Sequence, residues 1–170
     1  MKAVRIILKW MIITMISFTT FNLFISSDYE FERSIEIDSP IDSVYNQVSD
    51  LHNWPNWAVW WQQDTSIYIE YSGTEKELGS RMDWVGNNGD AGGLEIVACS
   101  PDRIEMKLYL GSMNPSGFWK FEEIDGGTKV TWEMKGEVPF FIRFITLFID
   151  KMAGPDLEQG LRNLKEVCEG

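Results

Sequence analysis

The most constraining feature of this chain is its C-terminal stretch, Phe140 to Cys168, which carries an apolar stripe at helical spacing after a long run of strand-patterned residues. Phe141, Phe144, Ile145, Phe148 and Met152 recur at steps of three and four, and the pattern resumes after Gly154-Pro155 as Leu157, Leu161, Leu164 and Cys168. Such steps put the apolar residues on one side of a helix. Asp150, Lys151, Glu158, Arg162 and Glu166 fall mostly outside the stripe. Pro155 suits the first turn of a restarting helix, where its missing N–H leaves no bond unmade. The spacing predicts one long helix broken near Gly154, or two helices end to end. Phe31 to Val138, by contrast, reads almost entirely as short strands. A long amphipathic helix after strands needs a sheet to bury its stripe, and the sheet needs the helix to cover its inner face. The expected class is α+β.

The N-terminal segment stands apart from that unit. Ile6 to Ile25 is the strongest hydrophobic run, and no charge interrupts Trp10 to Ser27, close to the roughly 20 residues that span a bilayer. Lys2, Arg5 and Lys9 precede it, and Asp28, Glu30 and Glu32 follow. Basic residues favour the cytoplasmic flank, so this pattern predicts a single-pass membrane protein with its N-terminus inside and its domain outside. A cleaved signal peptide is the alternative; against it, no small-x-small site precedes Asp28, and Phe24 and Ile25 beside Ser26-Ser27 are large. A buried core helix is a third reading. Thr14, Ser17, Thr19, Thr20 and Asn22 weaken the spanning pattern. Residues 1–27 are therefore assigned to an anchor or signal peptide and 28–170 to one domain, long enough for a real core.

Composition narrows the partners. A formal charge of −11 makes nucleic acid an unfavourable partner, since phosphate backbones repel it. Eight Trp and ten Phe argue against disorder. Cys99 and Cys168 form no CxxC pair and read as ordinary buried thiols.

Along the domain, Phe31, Arg33, Ile35 and Ile37 alternate with polar residues as a half-buried strand. Ser39-Pro40 then starts a short helix with Ile41, Val44, Tyr45 and Val48 on its apolar side. Leu51 to Asp64 holds Trp54, Trp57, Trp60 and Trp61 and reads as a short helix or ordered loop. It either plugs one end of the core with aromatic mass or forms the lid of an apolar pocket. Strands follow at Ile67–Tyr71, Ser80–Val85, Leu94–Ala98, Ile104–Leu110, Trp119–Ile124 and Thr128–Lys135. The Gly86–Gly93 segment lacks the Gly-Lys-Ser/Thr end of a P-loop, and its Asn88-Gly89 pair is a hairpin signal. Ser100-Pro101-Asp102 and Asp125-Gly126-Gly127 mark further turns. Short strands joined by tight turns pair antiparallel.

Several segments resemble the polyketide cyclase/dehydrase and lipid-transport branch of the START-like (SRPBCC, Bet v 1-like) superfamily. They are Phe31 to Trp57, Gly79 to Trp84, Phe118 to Gly136 and Asp156 to Glu166, and the likeness extends over about Tyr29 to Glu169. The resemblance implies a helix-grip fold: a curved antiparallel sheet wrapped around the long C-terminal helix, with an apolar cavity between them. It implies ligands such as lipids, quinones or polyketides. It carries no catalytic residues across, because the branch shares no such set, and the fold alone names no ligand.

The residues themselves form no catalytic constellation. HExxH and GxSxG are absent, and His52 is the only histidine, read as a surface or capping residue. Neither a metal nor a cofactor is expected. Strand phase, the helical stripe and the Trp-rich segment nominate a wall of Trp57, Met82, Trp84, Met106, Leu108, Trp119, Phe121, Trp132 and Met134 facing Phe144, Phe148 and Met152. Methionine and aromatic residues suit an adaptable apolar site, though the same residues would also make a filled core. Arg33 and Glu123 share the inward phase and either orient a ligand or sit at strand ends in water. Three functions remain open: a membrane-anchored binding or transport domain for a hydrophobic small molecule, a polyketide cyclase or aromatase, and a ligand-free interaction module.

Overall fold

The computed structural model describes residues 2–63, 66–86, 89 and 91–170. Helix α1, Lys2–Leu23, is exposed along nearly its whole length and rises about 33 Å at 1.5 Å per residue. The domain then runs β1 (Asp28–Ile37), α2 (Ile41–Ser49), a 3-10 helix (Leu51–Asn56) and α3 (Val59–Gln63). Six strands follow: β2 (Tyr68–Gly73), β3 (Ser80–Val85), β4 (Ala91–Ser100), β5 (Arg103–Tyr109), β6 (Ser116–Ile124) and β7 (Gly127–Glu137). A 3-10 segment, Phe140–Leu147, leads into α4, Ile149–Glu169.

The strands form one curved antiparallel sheet in the order β1-β7-β6-β5-β4-β3-β2. Consecutive strands β2 to β7 are neighbours through short turns, and β7 closes against β1 with Arg33 opposite Trp132 and Phe31 opposite Met134. Alternate residues face the helices, as period-two geometry requires. Ile104, Met106 and Leu108 of β5, Trp119 and Phe121 of β6, and Val130, Trp132 and Met134 of β7 are buried. Val44 and Val48 of α2 and Leu157, Leu161 and Leu164 of α4 cover them. The helix-grip arrangement of sheet and C-terminal helix is thus present.

Three details differ from the sequence expectations. The helix break lies at Phe148 (φ −125°, ψ −7°), and α4 runs unbroken through Gly154 and Pro155. The break falls early because Phe140–Leu147 is wound as 3-10, with Ile142 also outside helical angles. Pro155, seventh in α4, removes one intrahelical bond, but burial of Leu157, Leu161 and Leu164 holds the helix to the sheet. At α2 the N-cap residue is Pro40; Ser39 is buried and its carbonyl accepts a 2.8 Å bond from the Thr128 hydroxyl. In β4 a bulge between Ile96 and Ala98 shifts the register. Ala98 is thereby exposed and Cys99 packs on the core, the local two-against-one pairing that a period-two pattern cannot foresee. Finally, β3 and β4 do form a hairpin with Val85 opposite Ala91, but Asn88 of its expected turn lies outside the described residues.

Candidate functional site

An apolar cavity of about 370 Å³ lies between the sheet and the N-terminal half of α4. β1 contributes Tyr29 and Phe31, and the Trp-rich segment contributes Trp54, Trp60 and Trp61. Ile67, Trp84 and Leu94 close the β2 side, and Leu108, Leu110, Met113 and Pro115 the far end of β5 and the loop after it. Met134 of β7 and Ile149, Ala153, Asp156 and Leu157 of α4 complete the wall. Asp156 is the only charged side chain on that wall among the described residues. A larger depression of about 780 Å³ over the β1–β7 edge is lined by polar residues such as Glu30, Ser112 and Lys135 and opens broadly to solvent; it is a surface groove.

Seven of the eight tryptophans gather at this end of the domain. The Trp119 and Trp132 rings stack with centroids 4.3 Å apart. Trp54 meets both edge-on at 6.0 and 6.2 Å, and Trp61 meets Trp84 at 5.7 Å. These are the stacked and edge-to-face geometries that the ring quadrupole favours. The Trp-rich segment therefore plays both roles open to it. Trp54 and Trp57 are completely enclosed, and their indole N–H groups donate to the carbonyls of Val48 (3.0 Å) and Gln47 (3.2 Å). Trp60 and Trp61, one turn further on, face the cavity. Asn163 of α4, unremarked in the sequence, holds this segment in place: its amide donates to the carbonyl of Trp57 at 2.9 Å and to Oε1 of Gln62 at 3.0 Å.

The glycine-rich β3–β4 region serves the same wall. A Cβ on Gly92 would collide with the indole of Trp84, so the bare backbone of β4 lets that ring lie flat across it. This is a packing role, unrelated to phosphate.

Of the residues nominated from phase, Trp84, Leu108 and Met134 line the cavity. Trp57, Met82, Met106, Trp119, Phe121 and Trp132 point to the same side of the sheet but lie in the filled part of the core. Alternation tells which face a side chain takes, not how far along the strand the space between sheet and helix opens. On the helix the expectation shifts by one residue. Ile149, Ala153 and Leu157 face the sheet, while Phe148 and Met152 are exposed, because the helical phase restarts after Phe148. Phe144 is half-buried and packs against Phe18 of α1.

Neither polar candidate enters the cavity. Arg33 crosses to α4, where Nη2 donates to Asp150 and Nε to Glu158, each at 2.7 Å. The hydrogen bond to Glu158, then that to Asp150, raises its already high pKa and keeps it charged. Glu123 is exposed at the end of β6. His52 stacks on Tyr71 at 4.1 Å, and its Nδ1 lies 3.0 Å from Oδ1 of Asp50. Burial raises the pKa of the Tyr29 phenol on the wall. Among the described residues no group of three or more His, Cys, Asp or Glu side chains is placed to hold a metal ion. Both cysteines are free. The arrangement can enclose an apolar molecule and offers one carboxylate at its rim.

A family model described as polyketide cyclase / dehydrase and lipid transport matches residues 28–169. Among solved structures, a protein from Chromobacterium violaceum superposes with a TM-score of 0.62 at 13% identity, covering 84% of this chain and 99% of that one. A protein from Rhizobium leguminosarum gives 0.62 at 17% identity, covering 85% and 96%. The di-domain ARO/CYC StfQ of the steffimycin biosynthetic pathway gives 0.65 at 14% identity; the match covers 84% of this chain and 51% of StfQ. At these identities the likeness shows the fold alone. No curated protein matches the chain.

Proposed function

This chain belongs to the polyketide cyclase/dehydrase and lipid transport family, and from that premise we propose that its domain holds a hydrophobic small molecule, of lipid, quinone or polyketide-like chemistry, between the sheet and α4. The observation that carries this reading is the cavity of about 370 Å³ with its aromatic and aliphatic wall. Its size falls at the lower end of the roughly 300–1,000 Å³ of small-molecule sites. The uneven wall of tryptophans and methionines favours a ligand bound by shape and desolvation, with Asp156 at the rim as the polar contact.

In this reading α1 tethers the domain to a membrane. It is one helix long and apolar enough to cross a bilayer, at the N-terminus, where a signal sequence would meet the same test. Lys2, Arg5 and Lys9 before it and the acidic residues from Asp28 onward orient the N-terminus to the cytoplasm and the domain to the other side.

The test is to purify the full chain in mild detergent, identify co-purifying apolar molecules by native mass spectrometry and solvent extraction, and repeat with Ala153→Phe. One stoichiometric molecule in the wild type and none in the variant is the expected result. An empty wild-type protein that also fails to bind a neutral apolar fluorophore would overturn the reading.

A further inference from the structure

Where α1 meets the domain, a second apolar surface is left uncovered. Phe141, Leu147, Phe148 and Met152 are 70%, 59%, 54% and 67% exposed, although all four are large and apolar and lie within twelve residues of one another. An exposed cluster of this kind marks a contact surface. Its position on the chain identifies the contact. The 3-10 segment that carries the cluster packs on the last turns of α1: the Phe144 ring meets Phe18 edge-on at 5.8 Å, and the Phe144 N–H donates to Oδ1 of Asn22 at 3.2 Å. Asn22 is the one buried residue of α1. Thr146 donates to the Ser26 carbonyl at 3.3 Å, and the Val138 N–H to the Ser27 carbonyl at 2.9 Å. The segment is thus bonded to α1 through Phe144, and it and Val138 before it to the residues that follow α1.

We propose that this surface lies in the lipid headgroup and acyl boundary beside α1 as a second membrane contact of the domain. The proposal rests on the reading of α1 as a membrane helix. Phe18 precedes the end of α1 by five residues, about 7 Å of helix, which matches the roughly 5–10 Å depth at which interfacial amphipathic segments bury their apolar side. Any bilayer that encloses α1 along its length therefore also encloses the Phe144 face of this segment. The charges nearby suit that position. Asp150, between Phe148 and Met152, is paired with Arg33, so its carboxylate is already neutralised by a partner. Lys151, beside Met152, is exposed, as expected of a basic side chain that reaches toward headgroups.

The test uses the full chain with Cys99→Ser and Cys168→Ser, reconstituted in vesicles of phosphatidylcholine and phosphatidylglycerol. Nitroxide labels are attached to Phe148→Cys and Met152→Cys, with Glu123→Cys as an aqueous reference and Ile13→Cys as a reference in α1. The readout is collision with lipid-soluble oxygen against collision with a water-soluble nickel chelate. The expected result is an oxygen-to-nickel ratio several-fold higher at positions 148 and 152 than at 123. Ratios at 148 and 152 equal to that at 123 overturn the proposal. So does protection from both reagents, which would place another protein, such as a second copy of this chain, on the surface. The label at 13 reports the anchor separately: a water-accessible Ile13 position defeats the tether itself, whatever positions 148 and 152 show.

Discussion

The guanidinium of Arg33 occupies the space that a side chain at Gly154 would need, and from there it reaches Asp150 on one side and Glu158 on the other. Those three helix positions are four residues apart and therefore stack on one face of α4. The strand thus reaches the helix through a gap that only glycine leaves. Both carboxylates are about half exposed, so each pair contributes on the order of 0–1 kcal/mol. These contacts match one turn of α4 to β1, in the same register that burial of Leu157, Leu161 and Leu164 selects.

Gly154→Ala should change unfolding stability by no more than about 1 kcal/mol, because the added methyl meets the flexible end of Arg33 and displaces ion pairs that contribute about 0–1 kcal/mol each. In an Arg33→Ala background the same substitution should stabilise by about 1 kcal/mol, since alanine is the better helix former and no guanidinium has to move. Urea unfolding of the four proteins of this cycle measures the coupling. A Gly154→Ala effect that is the same with and without Arg33 would show that the guanidinium is not what excludes a side chain.

Filling the cavity and hollowing the core should have different signatures. Ala153→Phe projects a ring into the cavity and should cut the affinity for a neutral naphthylamine probe at least about tenfold, equivalent to ~1.4 kcal/mol, with a small change in Tm. Trp132→Ala removes a completely packed ring from the filled part of the core and should cost about 3–5 kcal/mol in stability. Probe titration and thermal unfolding on both variants separate the two. Equal losses of binding and stability in both would mean that cavity and core are one space.

Gly92→Ala should displace the Trp84 indole from β4 and cost roughly 1–3 kcal/mol by overpacking. The ring pair of Trp84 and Trp61 should separate, with a loss of near-ultraviolet circular dichroism. An unchanged spectrum would mean that the strand, not the ring, had moved.

Alkaline pH should destabilise the fold. Burial, and then the Cys99 and Glu77 charges, push the Tyr45 phenol up to about 12, and burial, then Glu169, pushes the Cys168 thiol up to about 11. Both groups bind their proton more tightly when folded. Their contribution to stability is full below the unfolded values near 9 and 10 and is lost as pH rises through 11 to 12. The Tm should therefore fall progressively above about pH 9. Iodoacetamide labelling of Cys168, followed by peptide mass spectrometry, should show its midpoint near pH 11; a midpoint near 9 would contradict the burial of this thiol.

Period-two alternation in Ile104–Leu110 and Thr128–Lys135 was enough to read the inner face of the sheet, because a strand has only two faces and burial selects one. The same alternation failed at Cys99, where a bulge that depends on the facing strand moves the phase. It also overextended the site, since Met82 and Trp84 share a face while only Trp84 borders the cavity. Trp60 and Trp61 carried no periodic signal, and their turn toward the cavity depends on Asn163, about a hundred residues later.

The sequence by itself determined the order of the elements and the inner face of most strands, because these follow from local periodicity and from the cost of burying charge. Tertiary structure alone decided where the space between sheet and helix stays open and which side chains border it. That space is set by long-range contacts, Arg33 on Gly154 and Asn163 on Trp57, and by the phase at which α4 restarts after Phe148. A side chain's own neighbours in sequence carry none of that information.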